Sequence, residues 1–120
     1  MTITVQGIYA ATVTKDFDAA VAWYERLMGR PADDKPIPGM AQWRNMGAAG
    51  LQVWEDAERA GQSIITIVVP NLEHEKIRLA AAGLILINEA RGEFGAVGQL
   101  FDDEGNQINL SEPPKGFVNR

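Results

Sequence analysis

Phe101-Asp102-Asp103-Glu104-Gly105-Asn106-Gln107-Ile108-Asn109-Leu110 is the stretch that decides the fold. Asp103-Glu104-Gly105-Asn106 has the composition of a tight turn. Behind it Ile108 and Leu110 alternate with Gln107 and Asn109, so one strand face is apolar and the other carries carboxamides. Ala96 to Phe101 supplies the strand on the other side of the turn. Further back, Ser63 to Val69 is strongly β-prone and ends at Pro70, where no ladder donor is needed. Asn71 caps a helix that stops at Gly83, and Leu84 to Asn88 reads as a short strand.

The first half of the chain follows the same order. Gly7 to Thr14 alternates as a strand, and Asp16 caps the next helix. Phe17, Ala20, Val21, Tyr24 and Leu27 recur at helical spacing and form its expected buried stripe, with Gly29 as the stop. Asp16 and Asn71 stand 55 residues apart, as do Phe17 and Leu72, and Tyr24 and Leu79. Ala41 to Met46 and Leu51 to Glu55 read as strands joined by Gly47-Ala48-Ala49-Gly50. Arg30 to Gly39, with its prolines and aspartates, reads as a loop. Gly92 to Gly98 reads as a flexible loop with a lid role open to it. Asp56 to Gln62 reads as a polar link between the halves. The expected organisation is one domain over residues 1–120. Module one covers about 1–58, module two about 62–112, and a tail with Pro113-Pro114 covers 113–120.

Two further segments join the hairpin: Tyr9-Ala10-Ala11-Thr12-Val13-Thr14-Lys15-Asp16, and a helix ending Trp23-Tyr24-Glu25-Arg26-Leu27-Met28-Gly29. Together with the duplication, these resemble the vicinal oxygen chelate superfamily of glyoxalase I, bleomycin-resistance proteins, fosfomycin-resistance enzymes and extradiol dioxygenases. The resemblance covers about Gln6 to Glu112. It implies an α+β fold of two βαβββ modules whose curved mixed sheets surround a cavity.

In the metal enzymes of that superfamily, a His or Glu stands at four strand positions. The resemblance places Tyr9, Gln52, Ile64 and Asn109 there, with Glu55 replacing Gln52 if the strand register shifts. A tyrosine phenol must lose a proton of pKa about 10 to coordinate. Neutral amides bind cations weakly, and isoleucine does not bind them at all. No metal and no cofactor are therefore expected. His74, the only histidine, falls within the second helix and reads as an exposed helix residue.

If those four positions face the cavity, their neighbours two residues away do so too. This adds Trp54 and Thr66, and Trp43 is a candidate on the adjacent strand. Such a mixture of aromatic and neutral hydrogen-bonding groups suits a small-molecule pocket. The expected ligand-binding set is Tyr9, Trp43, Gln52, Trp54, Ile64, Thr66 and Asn109, with no catalytic residue assigned.

Composition narrows the classes. The 120 residues are 46% hydrophobic and 22% charged, ordinary for a globular chain. A net charge of −5 disfavours nucleic acid, which needs a basic patch. No apolar run is long enough to span a bilayer, and Met1 to Gly7 does not begin a secretory signal. A cytoplasmic location follows as the default expectation. The absence of cysteine removes thiolate metal sites and a cysteine nucleophile. The leading expectation is a protein similar to the bleomycin-resistance branch that binds a small hydrophobic or planar molecule, acting as a homodimer. The alternatives are a metal-dependent lyase, isomerase or dioxygenase, or a metal-free enzyme using Tyr9 or a cavity carboxylate such as Glu55, Glu89 or Glu93.

Overall fold

The computed structural model describes residues 2–116. Module one runs β1 (Ile8–Thr14), α1 (Phe17–Met28), β2 (Asp34–Ile37), β3 (Met40–Met46) and β4 (Ala49–Glu55). Module two runs β5 (Ile64–Val68), α2 (Leu72–Ala81), β6 (Ile87–Gly92), β7 (Gly95–Phe101) and β8 (Gln107–Glu112). The sheets are ordered β1-β4-β3-β2 and β5-β8-β7-β6. In each, the first strand pairs in parallel with the last and the remaining pairs are antiparallel. This is the α+β architecture of two βαβββ modules.

Alternation divides each sheet into two faces. Ala41, Trp43, Leu51 and Val53 of sheet one and Ala96, Leu100, Ile108 and Leu110 of sheet two are buried. They form one continuous core with Ala20, Val21, Trp23, Tyr24 and Leu27 of α1 and Leu72 and Leu79 of α2. Burying a side chain of this kind contributes about 2 kcal/mol. The spacing of α1 thus places its apolar stripe as read, with Trp23 added to it. Trp23 meets Tyr24 edge-on at 4.9 Å.

Both helices begin at the expected caps. Asp16 Oδ1 accepts from the Ala19 amide at 3.3 Å, and Asn71 Oδ1 from the His74 amide at 2.9 Å. What completes each cap differs. Glu112, at the end of module two's own β8, accepts from the Leu72 amide at 2.7 Å. For α1 the carboxylate comes from the other module. Glu104 accepts from the Lys15 amide at 2.6 Å, the Asp16 amide at 3.0 Å and the Thr14 hydroxyl. Burial alone would raise the Glu104 pKa, but the Thr14 hydroxyl and the two amides outweigh it and hold the carboxyl below its usual range.

The same turn fastens the modules in a second way. Asp102, 8% exposed, accepts from the Tyr24 hydroxyl at 2.8 Å, the Asn106 carboxamide at 2.8 Å, and the Glu104 and Asn106 amides. Burial pushes the Tyr24 phenol well above its ordinary range, so it remains a donor. Asn106 also donates to the Val13 carbonyl at 2.9 Å and accepts from the Ser63 amide at 2.8 Å.

Four expectations are corrected. Arg30 to Gly39 is not wholly loop, because it holds β2, an edge strand where Pro36 needs no second ladder partner. The strand expected at Leu84 to Asn88 begins at Ile87 and reaches Gly92. Leu84 and Leu86 are instead drawn into the core. Gly92 to Gly98 is a hairpin, not a loop: β6 ends at Gly92 and β7 opens at Gly95. Its glycines are needed for close packing. A Cβ at Gly98 would stand 2.6 Å from the Leu86 side chain. Finally, the sheets do not close around a cavity within this chain. Each leaves the face away from its helix open. Pro113 and Pro114 are half-buried beside Gly95, while residues 117–120 of the expected tail and Met1 lie outside the described residues.

Candidate functional site: the two open sheet faces

The strand register decides which side chains share the open faces. In sheet one, Tyr9 is opposite Gly50, Ala11 opposite Gln52, and Gln42 opposite Gln52. Trp54 follows two residues after Gln52 on the same face. In sheet two, Ile64 is opposite Gln107, Thr66 opposite Asn109, and Gln99 opposite Asn109. Tyr9, Gln52 and Trp54 therefore share one open face, and Ile64, Thr66 and Asn109 the other. Gln52 and Asn109 occupy corresponding positions in the two modules, as do Gln42 and Gln99.

Sheet one is the aromatic face. Tyr9 and Trp54 are each 38% exposed. The Tyr9 ring packs against Gly50, where a Cβ would stand 2.5 Å from it. The Trp54 indole N–H donates to Gln52 Oε1 at 2.9 Å, which fixes the ring's direction. Gln52 Nε2 donates to Gln42 Oε1 at 2.9 Å, and Gln42 Nε2 to Asp34 Oδ1 at 3.3 Å. Arg44 neutralises Asp34 at 3.1 Å. The chain of dipoles thus runs outward from the tryptophan to an ion pair on the sheet's far edge.

Sheet two carries an amide ladder over a groove of about 420 Å³. Asn88 Nδ2 donates to Gln99 Oε1 at 2.9 Å, and Gln99 Nε2 to Asn109 Oδ1 at 3.3 Å. Gln107 Nε2 donates to the same Asn109 oxygen at 2.8 Å, and Asn109 Nδ2 to the Thr66 hydroxyl at 3.2 Å. Ile64 and Val68 are exposed beside it at 68% and 57%.

Trp43 is removed from the expected binding set. It is fully buried on the helix side of sheet one, and its indole N–H donates to the Arg30 carbonyl at 2.9 Å. The bulge after Trp43 does not change this, since Leu51 opposite it is core as well. Conversely, sequence reasoning passed over Gln42, Gln99 and Asn88. The signal for the first two was present: each lies directly across a strand pair from a residue already in the set.

The carboxylates weighed as bases do not gather on these faces. Glu89 pairs with Lys76 of α2 at 2.9 Å, and Glu112 is held by the Leu72 amide and Arg91. Glu55 ends β4, and Glu93 lies in the β6–β7 turn. His74 is exposed on α2, away from both faces.

The four metal positions of the resemblance fail a fit test on their donors. Ile64 has no donor. The Gln52 and Asn109 carboxamides are committed to neighbouring side chains, and the Tyr9 ring packs against Gly50. Among the described residues, no group of three or more His, Cys, Asp or Glu side chains could hold a metal ion. No helix there is long and apolar enough to cross a membrane.

No family model matches the sequence, and no curated protein does. Solved structures do match. A glyoxalase/bleomycin resistance protein from Catenulispora acidiphila DSM 44928 is 25% identical, with a TM-score of 0.85 over 92% of this chain and 100% of its own. TnmS3, an antibiotic binding protein from Streptomyces sp. CB03234, is 20% identical, with a TM-score of 0.76 over 94% and 98%. A bleomycin-binding protein complexed with bleomycin is 19% identical, with a TM-score of 0.71 over 91% and 98%. The fold is that of the glyoxalase/bleomycin-resistance proteins, in agreement with the vicinal oxygen chelate resemblance.

Proposed function

From the premise that this chain has the glyoxalase/bleomycin-resistance fold, we propose that it binds a small hydrophobic or planar molecule against its open sheet faces, without a metal. One observation carries the reading. Trp54 stands exposed with its N–H already tied to Gln52, on the same open face as Tyr9, whose ring packs against Gly50. A tethered indole loses little freedom when a planar ring stacks on it, and pre-organisation of this kind favours binding. The solved structures named for antibiotic and bleomycin binding support the same reading.

The proposal includes a homodimer. Tyr9, Trp54, Ile64 and Val68 are apolar or aromatic surface that one chain leaves exposed, and a second copy with a ligand between would cover it.

Titration with planar antibiotics, followed by tryptophan fluorescence and thermal shift, tests the reading. Trp23 and Trp43 are buried, so a quenched indole signal reports Trp54. The expected result is saturable binding that survives a chelator, and about tenfold weaker binding for Trp54→Ala, equivalent to ~1.4 kcal/mol of stacking. Binding that appears only with stoichiometric metal would overturn the metal-free reading.

A further inference from the structure

We infer that the groove of sheet two recognises an uncharged carboxamide on the ligand, the group the ladder itself is made of. The inference rests on the small-molecule reading above and assigns the chemistry of one part of that site.

Charge is the first argument. The chain is 22% charged, yet the open face of sheet two carries Ile64, Thr66 and Val68 on β5 and Gln107, Asn109 and Ser111 on β8. Val97, Gln99 and Phe101 complete it on β7. The charged residues of β6 are turned away: Glu89 pairs with Lys76 of α2 and Arg91 with Glu112. A charged ligand group placed here would lose hydration with no opposite charge to replace it, which is strongly unfavourable.

Hydrogen-bond direction is the second. Asn109 Oδ1 accepts twice, from Gln99 and Gln107, so both its lone pairs are used. Its Nδ2 gives one hydrogen to Thr66 and retains one. Gln99 Nε2 likewise retains one hydrogen, and the Thr66 hydroxyl retains its own. Gln107 Oε1 and Asn88 Oδ1 accept from no other side chain or amide among the described residues. The groove therefore offers both donors and acceptors. A secondary amide, with one N–H and one carbonyl, satisfies such a set without a net charge. The donor chain runs inward from Asn88 to Thr66, so each bond polarises the next and strengthens the final donor. On sheet one the corresponding chain runs outward and ends at the Asp34–Arg44 pair. Its polarity is spent internally, leaving that face to its aromatic rings.

Three probes of one skeleton test this: N-acetylglycinamide, which is neutral, N-acetylglycine, an anion, and glycinamide, a cation. Side-chain carboxamide resonances of 15N-labelled protein are followed during titration, with 2-naphthol as a neutral planar control read by Trp54 fluorescence. The expected result is that N-acetylglycinamide shifts the Gln99, Gln107 and Asn109 signals, equally at low and high salt. The charged probes should bind about tenfold more weakly. Gln99→Leu with Thr66→Val should abolish the amide response at Gln107 and Asn109. Equal or tighter binding of a charged probe, or shifts confined to other residues, overturns the inference alone. Failure of both the amide and 2-naphthol overturns the inference together with the binding reading beneath it.

Discussion

The two modules share a frame and fill it differently. Where module one buries Tyr24 and Trp43, the matching positions of module two hold Leu79 and Leu100. Where module one exposes Trp54, module two has Ser111, and Tyr9 is matched by Ile64. The central carboxamides, Gln42 with Gln52 and Gln99 with Asn109, are retained in kind. The lesson is that a duplicated βαβββ unit can hold its register while one copy holds all three tryptophans and both tyrosines. The β7–β8 turn grips module one through Asp102, Glu104 and Asn106. The β3–β4 turn at Gly47 and Ala48 makes no such grip, and its backbone bond is to Ile8 of its own module.

The largest expected effect tests the unequal cores. Trp43→Ala removes the bulkier side chain and an indole hydrogen bond, and should cost about 4 kcal/mol in urea unfolding, against about 3 kcal/mol for Leu100→Ala. Equal losses would show that the aromatic load of module one is not where its stability resides. Next comes the fastening between modules. Asp102→Ala strands the Tyr24 hydroxyl, the Asn106 carboxamide and two amides, and should cost about 2–3 kcal/mol in the same measurement.

Glu104→Gln is smaller and depends on pH. Because its carboxyl is held below its unfolded value, it contributes stability above that unfolded value, and the contribution is lost as pH falls through the folded one. The variant should be about 1 kcal/mol less stable at neutral pH, and the gap should close in acid. A gap that persisted at low pH would assign the effect to packing. The smallest effect on stability belongs to Trp54→Ser, which gives module one the residue of module two. Its unfolding free energy should stay within about 0.5 kcal/mol of the parent while planar-ligand affinity falls about tenfold. An unchanged affinity would remove the functional difference between the faces.

Much of the frame was legible because periodicity is local. The caps Asp16 and Asn71, the stripe of α1 and the hairpin around Gly105 each follow from residues a turn or a strand apart. The positions of Tyr9, Gln52, Ile64 and Asn109 came from the resemblance, and alternation then added Trp54 and Thr66 to the same faces. What could not be read was set by partners distant in sequence. Trp43 was ambiguous until its register with Leu51 placed it in the core. The Gly92–Gly98 run looked like a loop because the reason for Gly98 is Leu86, twelve residues earlier on another segment. Asn88 joins the ladder only through the irregular pairing between Ile87 and Ala90, with its backbone at φ 54°, which no pattern of two announces.

The carboxylate of Glu104 at the start of α1 makes the two halves unequal as units of inheritance. A Glu or Gln at the third helical position often reaches back to the cap residue, but Ala19 stands there and cannot. Module one has handed that task to its sister copy, while module two keeps Glu112 for itself. A chain cut between the copies would release a second half with its helix start intact and a first half with its own unfinished.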